Sequence, residues 1–396
     1  MRHFSRPVAV VLTAGLLLAG CGQDAESTSE PATPARTGAC SVPPKPVALA
    51  YGARSNNPAP VLPKDVLEVV DQAAYAGNEI SAFAVSGAPR EVGLHLEFQP
   101  VAVNSGAKAA ERENLNQQLQ EQLGTVRADN AEANPLVAMD LAGRRAGQDG
   151  TVVLLDSGLQ TVAPLDFHDG NLLSAEPEEV ATALKQRDQL PSLKDRTVLL
   201  VGIGYTAEPQ QTLDTRQRNN LIEIWRAIAK AAGATCVEVY DVAGGDPPAT
   251  GLPPVSKVTP PAEKPVQVCG TTILANSGRV GFKKNIAVFI DQRAAEQAIG
   301  EIADVMRTGS QRAKLIGTTA TDQSVEFRAK LSLDRANAVR DVLVRLGISA
   351  DRIETVGAGT TYRTHVNDIG PNGTLLPGPA AQNRSVVVEL SCPNEG

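Results

Sequence analysis

Short apolar segments alternate with amphipathic stretches over the first part of the chain. Continuous apolar runs, which are typical of buried strands, occur at residues 47–51, 80–85, 151–155, 197–201 and 236–240. Helices are predicted at residues 63–76, in a long polar stretch from 107 to about 123, after Pro135 and at 218–232. Strands that alternate with helices predict an α/β fold with a doubly wound, mainly parallel sheet.

One segment of this region has a different pattern. Val92, Leu94, Leu96 and Phe98 alternate with other residues at period two. This period is typical of a strand with one buried face and one face in water. We therefore expect an antiparallel or edge strand at this place.

The C-terminal part of the chain repeats the alternation on a smaller scale. Short strands are predicted at residues 280–282, 313–317, 353–356 and 385–390. One helix is predicted from Asp291, a good N-cap residue, to Arg307. The next is predicted to have Ser332 as its N-cap and to stop at Gly347. Glycine and proline are frequent at 360–382, which predicts a loop.

Two segments without apolar periodicity divide the chain. Residues 22–38 are rich in Ser, Thr, Glu, Pro and Ala, which predicts a disordered tether. Residues 244–265 contain three Pro-Pro steps, which predict a semi-rigid spacer. The expected organisation is a signal peptide at 1–20, a tether at 21–42, an α/β domain at 43–243, a linker at 244–265 and a second domain at 266–396.

The N-terminus has the features of a secretory signal. A short basic region precedes an apolar run from Val8 to Ala19, and Leu18-Ala19-Gly20-Cys21 follows. The last four residues resemble a lipobox, which implies that Cys21 is acylated and becomes the new N-terminus. A lipid at Cys21 would hold the protein on the cell membrane or outer membrane, facing the extracytoplasmic space.

Charge and cysteine content narrow the classes of partner and site. The net charge is −7 and aromatic residues make up 3% of the chain, so nucleic acid is not an expected partner. With Cys21 set aside, an even number of cysteines in an exported protein indicates disulfides. If each bridge lies within one domain, the pairs are Cys40–Cys236 and Cys269–Cys392. The cysteines are too far apart, with too few neighbouring histidines, to indicate a zinc site.

The strand order of the first domain resembles that of the von Willebrand factor A-like fold. In that family an Asp-x-Ser-x-Ser motif after the first strand holds a magnesium ion. The matching residues here are Tyr51-Gly52-Ala53-Arg54-Ser55, and the strand end Leu154-Leu155-Asp156-Ser157-Gly158 carries one shifted acid. The resemblance implies a domain that keeps the fold, holds no metal and binds an unidentified protein partner.

A second resemblance covers about residues 270–392. It rests on Thr321-Asp322, Leu331-Ser332-x-x-Arg335-Ala336, Gly347-Ile348, Arg352-Ile353, Gly357-x-Gly359 and Asn383-Arg384. These motifs, in this order, resemble the OmpA-like peptidoglycan-binding domain. The resemblance implies an α/β sandwich that holds the diaminopimelate residue of the peptidoglycan stem peptide without a covalent bond.

Roles for four residues follow from this second resemblance. Diaminopimelate presents an ammonium and a carboxylate on one carbon, so an acid and an arginine can take one each. Asp322 would take the ammonium and Arg335 the carboxylate, helped by amide groups at a helix N-terminus. Thr321 would contribute its hydroxyl or backbone, and Arg384 would support the loop or the ligand.

Other interpretations stay open. Asp322 and Arg335 could form only a salt bridge, in an envelope adaptor that no longer binds peptidoglycan. Gly202-Ile203-Gly204-Tyr205-Thr206-Ala207 matches a dinucleotide motif, but no helical pattern opens directly after it. His168-Asp169 and Ser157 lack a nucleophile elbow of the Gly-x-Ser-x-Gly kind. We expect neither catalysis nor a cofactor.

Overall fold

The computed structural model describes residues 40–59, 61–245 and 250–392. The predicted signal peptide, Cys21 and all but the end of the predicted tether lie outside these residues. Within the described part of the chain, no helix combines the length and apolar character needed to cross a membrane.

The first sheet has six strands with helices between them. Its elements are β1 (Val47–Gly52), α1 (Lys64–Tyr75), β2 (Ile80–Val85), β3 (Arg90–Val92), α2 (Ser105–Leu123), α3 (Pro135–Ala146), β4 (Thr151–Leu155), α4 (Pro177–Lys185), β5 (Thr197–Val201), α5 (Thr215–Ala231) and β6 (Cys236–Tyr240). The strand order is β3-β2-β1-β4-β5-β6, and all neighbours are parallel except β2 and β3. The predicted doubly wound, mainly parallel sheet is confirmed.

Burial on both faces explains the continuous apolar runs of the central strands. Every residue of β4 and β5 is buried. Alternate residues contribute to two separate cores, so that Val152 and Val153 lie on opposite sides of the sheet. Trp225 of α5 is fully buried in one of these cores, and its indole Nε1 donates to the carbonyl of Gly158 at 3.0 Å.

The predicted edge strand at 92–98 is largely wrong. Strand β3 ends at Val92, and the residues after it run beside α2. The side-chain amide of Gln118 pairs with both backbone groups of Glu97, and that of Gln122 does the same for His95. Helix side chains thus supply the hydrogen bonds that a neighbouring strand would have made.

The second sheet has four strands and is mixed. Its elements are β7 (Gly270–Ala275), α6 (Gln292–Thr308), β8 (Arg312–Thr318), α7 (Val325–Arg345), β9 (Ile353–Gly359), α8 (Pro377–Asn383) and β10 (Ser385–Ser391). The strand order is β7-β10-β8-β9, in which β10 runs antiparallel to both neighbours and β8 runs parallel to β9. Helices α6 and α7 cover one core of this sheet.

Three expectations for this region are wrong. The segment predicted as a strand at 280–282 forms only an isolated bridge between Phe282 and Phe289, and the sheet begins instead with β7. The segment 360–382 contains most of α8. Helix α7 begins earlier than predicted, at Val325, because its N-cap is Ser324, eight residues before the predicted cap, and Ser324 accepts from the amide of Phe327.

Ser332, the predicted cap, is a buried residue inside α7. Its hydroxyl donates to the carbonyl of Ala329 at 2.9 Å and accepts from the amide of Gly359 at 3.0 Å. Arg335 therefore lies in the middle of the helix and not in its first turn. The proposed help from amide groups at a helix N-terminus is wrong for this residue.

Two disulfides hold the ends of the sheets. Cys40 is bonded to Cys236 at the start of β6, and Cys269 is bonded to Cys392 beside the paired strands β7 and β10. These are the pairs expected if each bridge lies within one domain. The domain limits 43–243 and 266–396 stay a prediction, since all described residues belong to one compact unit.

Close contact between α7 and its sheet depends on a glycine. A methyl group at Gly317 of β8 would overlap the carbonyl oxygen of Ser332 in α7. We expect Gly317→Ala to lower the free energy of unfolding by about 1–3 kcal/mol, as overpacking of a core does. Chemical denaturation monitored by circular dichroism measures this change.

Gly300→Ala is the matched control for that substitution. Gly300 lies inside α6 and has open space around its Cα, so alanine there should raise the free energy of unfolding by roughly 0.5–1 kcal/mol. Equal stability of Gly317→Ala and the wild type would contradict the close packing of α7 on β8.

Candidate functional site

The candidate site lies where the loop after β8 meets the start of β10. Asp322 follows β8, and Arg384 directly precedes β10, whose first residues pair with the end of β8. The guanidinium Nη2 of Arg384 lies 3.5 Å from Oδ2 of Asp322. The antiparallel pairing of β8 and β10 thus brings together two of the four predicted residues.

Arg384 has a stronger partner on the first sheet's side of the molecule. Its Nη1 and Nη2 donate to the two carboxylate oxygens of Glu179 in α4, at 3.0 and 2.9 Å. Lys284 Nζ lies 3.6 Å from the same carboxylate. The side chains of Arg384 and Glu179 are 8% and 10% exposed, so this bidentate pair is largely shielded from water.

Arg335 is a buried cation that has no close carboxylate among the described residues. It is 3% exposed, and its guanidinium carbon lies 5.3 Å from the ring centre of Phe282. Its Nη2 donates over a long 3.4 Å to the carbonyl of Lys283. Within the described part of the chain, its Nε has no hydrogen-bond partner and it has no ion-pair partner within 4 Å.

Burial and neighbouring charges set the protonation behaviour of this site. Burial, followed by the positive charge of Arg384, lowers the pKa of Arg335 to about 10, while Glu176 and Asp322 act in the opposite direction. Burial raises the pKa of Glu176, and the cations of Arg384 and Lys284 oppose that rise. The electrostatic field at the site therefore comes from two acids, Glu176 and Asp322, and from nearby cations that include Arg384.

Asp322 and Arg335 do not form the direct salt bridge considered from the sequence. Asp322 makes its closest described ion pair with Arg384, and it influences Arg335 only through the electrostatic field. The carboxylate and the buried guanidinium are therefore neighbours without being partners.

The backbone of Thr321 is already engaged. Its amide donates to Oδ2 of Asp368 at 2.9 Å, and its carbonyl accepts from Nη1 of Arg328 at 3.2 Å. Asp368 is 1% exposed and also accepts from Nδ2 of Asn383. A buried acid thus fixes the loop that carries Asp322, and only the side chain of Thr321 stays available for a ligand.

Two acids of this site were missed by the sequence reasoning. Glu179 had a usable signal, because Pro177 followed by two acids and then by Val180 and Leu184 is typical of a helix start. Asp368 lies in the glycine- and proline-rich segment, where no period indicated which side chain turns inward.

After β1, Arg54 is buried beside Asp156, the acid that follows β4. It is 1% exposed, its Nη2 lies 2.8 Å from Oδ2 of Asp156, and its Nη1 donates to the carbonyl of Val85 at 3.0 Å. Asn57 Nδ2 donates to the same carboxylate oxygen at 3.0 Å. Among the described residues there is no cluster of three or more His, Cys, Asp or Glu side chains suited to a metal.

The glycine turn at Gly202 and Gly204 does not open into a helix. Both glycines have positive φ angles, and α5 begins only at Thr215 after a capping box formed by Asp214 and Gln217. Pyrophosphate binding needs amide groups of a helix that starts directly at such a turn. This geometry gives no support to the dinucleotide motif.

His168 takes part in a hydrogen-bonded group that the sequence did not indicate. Its Nδ1 lies 2.7 Å from Oδ1 of Asp166, and its Nε2 lies 3.0 Å from Oγ of Ser256. The order of these groups is that of a hydrolase triad. His168 is exposed, however, and Ser256 lies in the proline-rich segment and not on a strand-to-helix turn, so no catalytic role is assigned. Ser157 lies elsewhere and is buried.

Open space is found away from the candidate site. A cavity of about 1000 Å³ lies between the start of α5 and strand β7, lined by residues such as Arg216 and Ile273. Asp322, Arg335 and Arg384 do not line this cavity. The candidate site and this cavity are therefore separate features.

Three solved structures are similar to about a third of this chain. The periplasmic domain of Helicobacter pylori MotB (residues 97–256) is 20% identical over 32% of this chain and 86% of that chain, with a TM-score of 0.25. The cell wall anchor of the T6SS from Pseudomonas aeruginosa is 19% identical over 31% and 80%, with a TM-score of 0.25. The peptidoglycan-associated lipoprotein from Burkholderia pseudomallei is 21% identical over 28% and 86%, with a TM-score of 0.24.

These TM-scores are too low to add to what the chain's own geometry supports. No curated protein matches the chain. Residues 282–370 match the profile of the OmpA family. They include α6, α7 and the strands β8 and β9, together with Asp322 and Arg335. The C-terminal part of the chain therefore contains an OmpA family domain.

Proposed function

We propose that this protein binds peptidoglycan non-covalently, through the diaminopimelate group of the stem peptide, at the site of Asp322 and Arg335. The observation that carries this proposal is the buried guanidinium of Arg335, which lacks a close carboxylate partner in the described part of the chain. The OmpA family match over residues 282–370 gives the proposal its ligand class.

An unpaired buried cation is costly to keep. Removing a charge from water lowers stability unless a partner or several hydrogen bonds replace the lost hydration. The lowered pKa of Arg335, about 10, reflects this cost. A ligand carboxylate would supply the missing partner for Nε and Nη2 in the bidentate geometry that guanidinium groups favour.

Asp322 is suited to the ammonium of the same ligand. Its side chain is 18% exposed, and its contact with Arg384 is long for an ion pair. A neighbouring ammonium would therefore meet a carboxylate that is accessible and only weakly engaged. Thr321 can add its hydroxyl, while Arg384 supports the loop through Asp322 and Glu179.

The remaining parts of the proposal concern position in the cell envelope. A lipid at Cys21 would hold the protein to the cell membrane or outer membrane, with the tether of residues 21–42 allowing the folded part of the chain to reach the wall. The first domain would contact a protein partner. We propose no catalysis and no cofactor.

A second function is favoured by one specific observation. Arg335 is 3% exposed, and the carboxylate of Glu179 already occupies Arg384. A site closed in this way is what an envelope adaptor without wall binding would have. The two functions differ in whether the full chain is retained by peptidoglycan at all.

Asp322→Asn should weaken retention on purified peptidoglycan roughly ten- to hundredfold, because a hydrogen bond to a charged group contributes about 1.5–3 kcal/mol. Sedimentation of the full chain with sacculi, in detergent, measures the dissociation constant. Asp334→Asn is the control, since Asp334 is a half-exposed acid of α7 paired with Lys330. Equal loss in both variants, or none in either, contradicts the assignment of Asp322.

Arg335→Lys should also weaken retention, by about tenfold or more, because lysine keeps the charge and loses the planar donor pair. Arg345→Lys makes the same change at an exposed position of the same helix and should behave as the wild type.

Sacculi with lysine in place of diaminopimelate lack the second amino-acid centre and should retain all variants equally weakly. Strong retention of the wild type on these sacculi would refute diaminopimelate recognition.

A further inference from the structure

We propose that helix α4 closes the candidate site, with Glu179 held by Arg384 as an internal ligand that must leave before peptidoglycan can enter. This inference rests on the proposed function of the same site. It assigns a role to the acids of α4, which lie far from the OmpA family match along the chain.

The contact between Glu179 and Arg384 is built as a specific pair. Two parallel hydrogen bonds join the guanidinium to the carboxylate, and Lys284 of the second domain adds a second cation. By contrast, an ion pair on the surface of α7, Lys330–Asp334 with side chains 75% and 40% exposed, lies in water and contributes little. Breaking a shielded bidentate pair is costly instead, because the remaining charge stays buried without a partner.

The covering helix also brings a second carboxylate to the site. Glu176 is the N-cap residue of α4, but its side chain makes no capping hydrogen bond. It interacts electrostatically with both Arg335 and Arg384. The acids of α4 thus provide negative charge beside both arginines, which is the charge that a ligand carboxylate would otherwise supply.

A continuous set of contacts joins this interface to the ligand loop. Ala381 of α8 is part of the first sheet's core, and Gly378 of the same helix packs directly against Asp169, where a methyl group would overlap the carboxylate. At the end of α8, Asn383 donates to Asp368, which in turn accepts from the amide of Thr321. Docking of α8 therefore positions the loop that carries Asp322.

Closure and ligand binding then compete for the same surface. If only a fraction of molecules has α4 displaced, the apparent affinity for peptidoglycan falls in proportion to that fraction. By the same linkage, bound peptidoglycan should loosen the contact between α4 and α8. Weakening the Glu179–Arg384 pair should therefore strengthen wall binding.

Glu179→Gln tests this directly, because it keeps the shape of the side chain and removes its charge. We expect retention of the full chain on diaminopimelate-containing sacculi to rise about fivefold or more, in the range of typical coupling between sites. Hydrogen exchange of the α4 and α8 amides, measured without peptidoglycan, should become faster in this variant. The thermal unfolding midpoint shows that the variant is folded.

Glu178→Gln is the matched control. Glu178 is the neighbouring acid of α4, and it is exposed. A similar rise in both variants would mean only reduced repulsion between an acidic helix and an anionic polymer, and would overturn the inference. Unchanged retention of Glu179→Gln, with the wild type still retained, would overturn closure and leave the proposed function standing. If neither the wild type nor any variant is retained, both closure by α4 and the proposed peptidoglycan binding are contradicted.

Discussion

The bidentate ion pair between Arg384 and Glu179 is the interaction on which the arrangement of the candidate site depends. It joins the residue just before β10 to the first turn of α4, across the boundary between the two sheets. Both Nη groups of Arg384 donate to Glu179, and the contact of Arg384 with Asp322 is long. Arg335 has no close acid in the described part of the chain. Asp322 and Arg335 keep unused hydrogen-bonding capacity for a zwitterionic ligand, which reaches them only when α4 is displaced.

The second constraint is the close packing of α7 on its sheet. Gly317 leaves room for the backbone of α7, and the hydroxyl of Ser332 bonds the end of β9. Arg335 is a buried residue of this packed helix, and burial lowers its pKa to about 10. The cation is held in place by packing rather than by a partner, and this is typical of sites that are preorganised for a ligand.

The first sheet could be predicted from the sequence because its central strands are buried on both faces. The run from Thr151 to Leu155 has no polar face, so the continuous apolar pattern predicts both that it forms a strand and that the strand is buried. Strand β7 was missed since it is a largely exposed edge strand with only three consecutive apolar residues, Ile273 to Ala275. The start of α7 was placed too late because Ser324 and Ser332 are both plausible caps, and only packing shows which one lies outside the helix.

Of the candidate site, the sequence indicated the residue types and not their pairing. Asp322, Arg335 and Arg384 were all named from motif resemblance, but Glu179 lies 205 positions from Arg384 and no local pattern connects them. Such a contact exists only in the folded chain.

The central claim is that a ligand carboxylate completes the hydrogen bonding of Arg335. The most direct measurement is a nitrogen–proton NMR titration of the arginine Nε–H signals with a diaminopimelate-containing stem peptide, the Arg335 signal being assigned by its absence in Arg335→Lys. The account predicts a large, saturable shift of that signal, and none with the corresponding lysine-containing peptide. An Arg335 signal that stays in place while the peptide binds would contradict it.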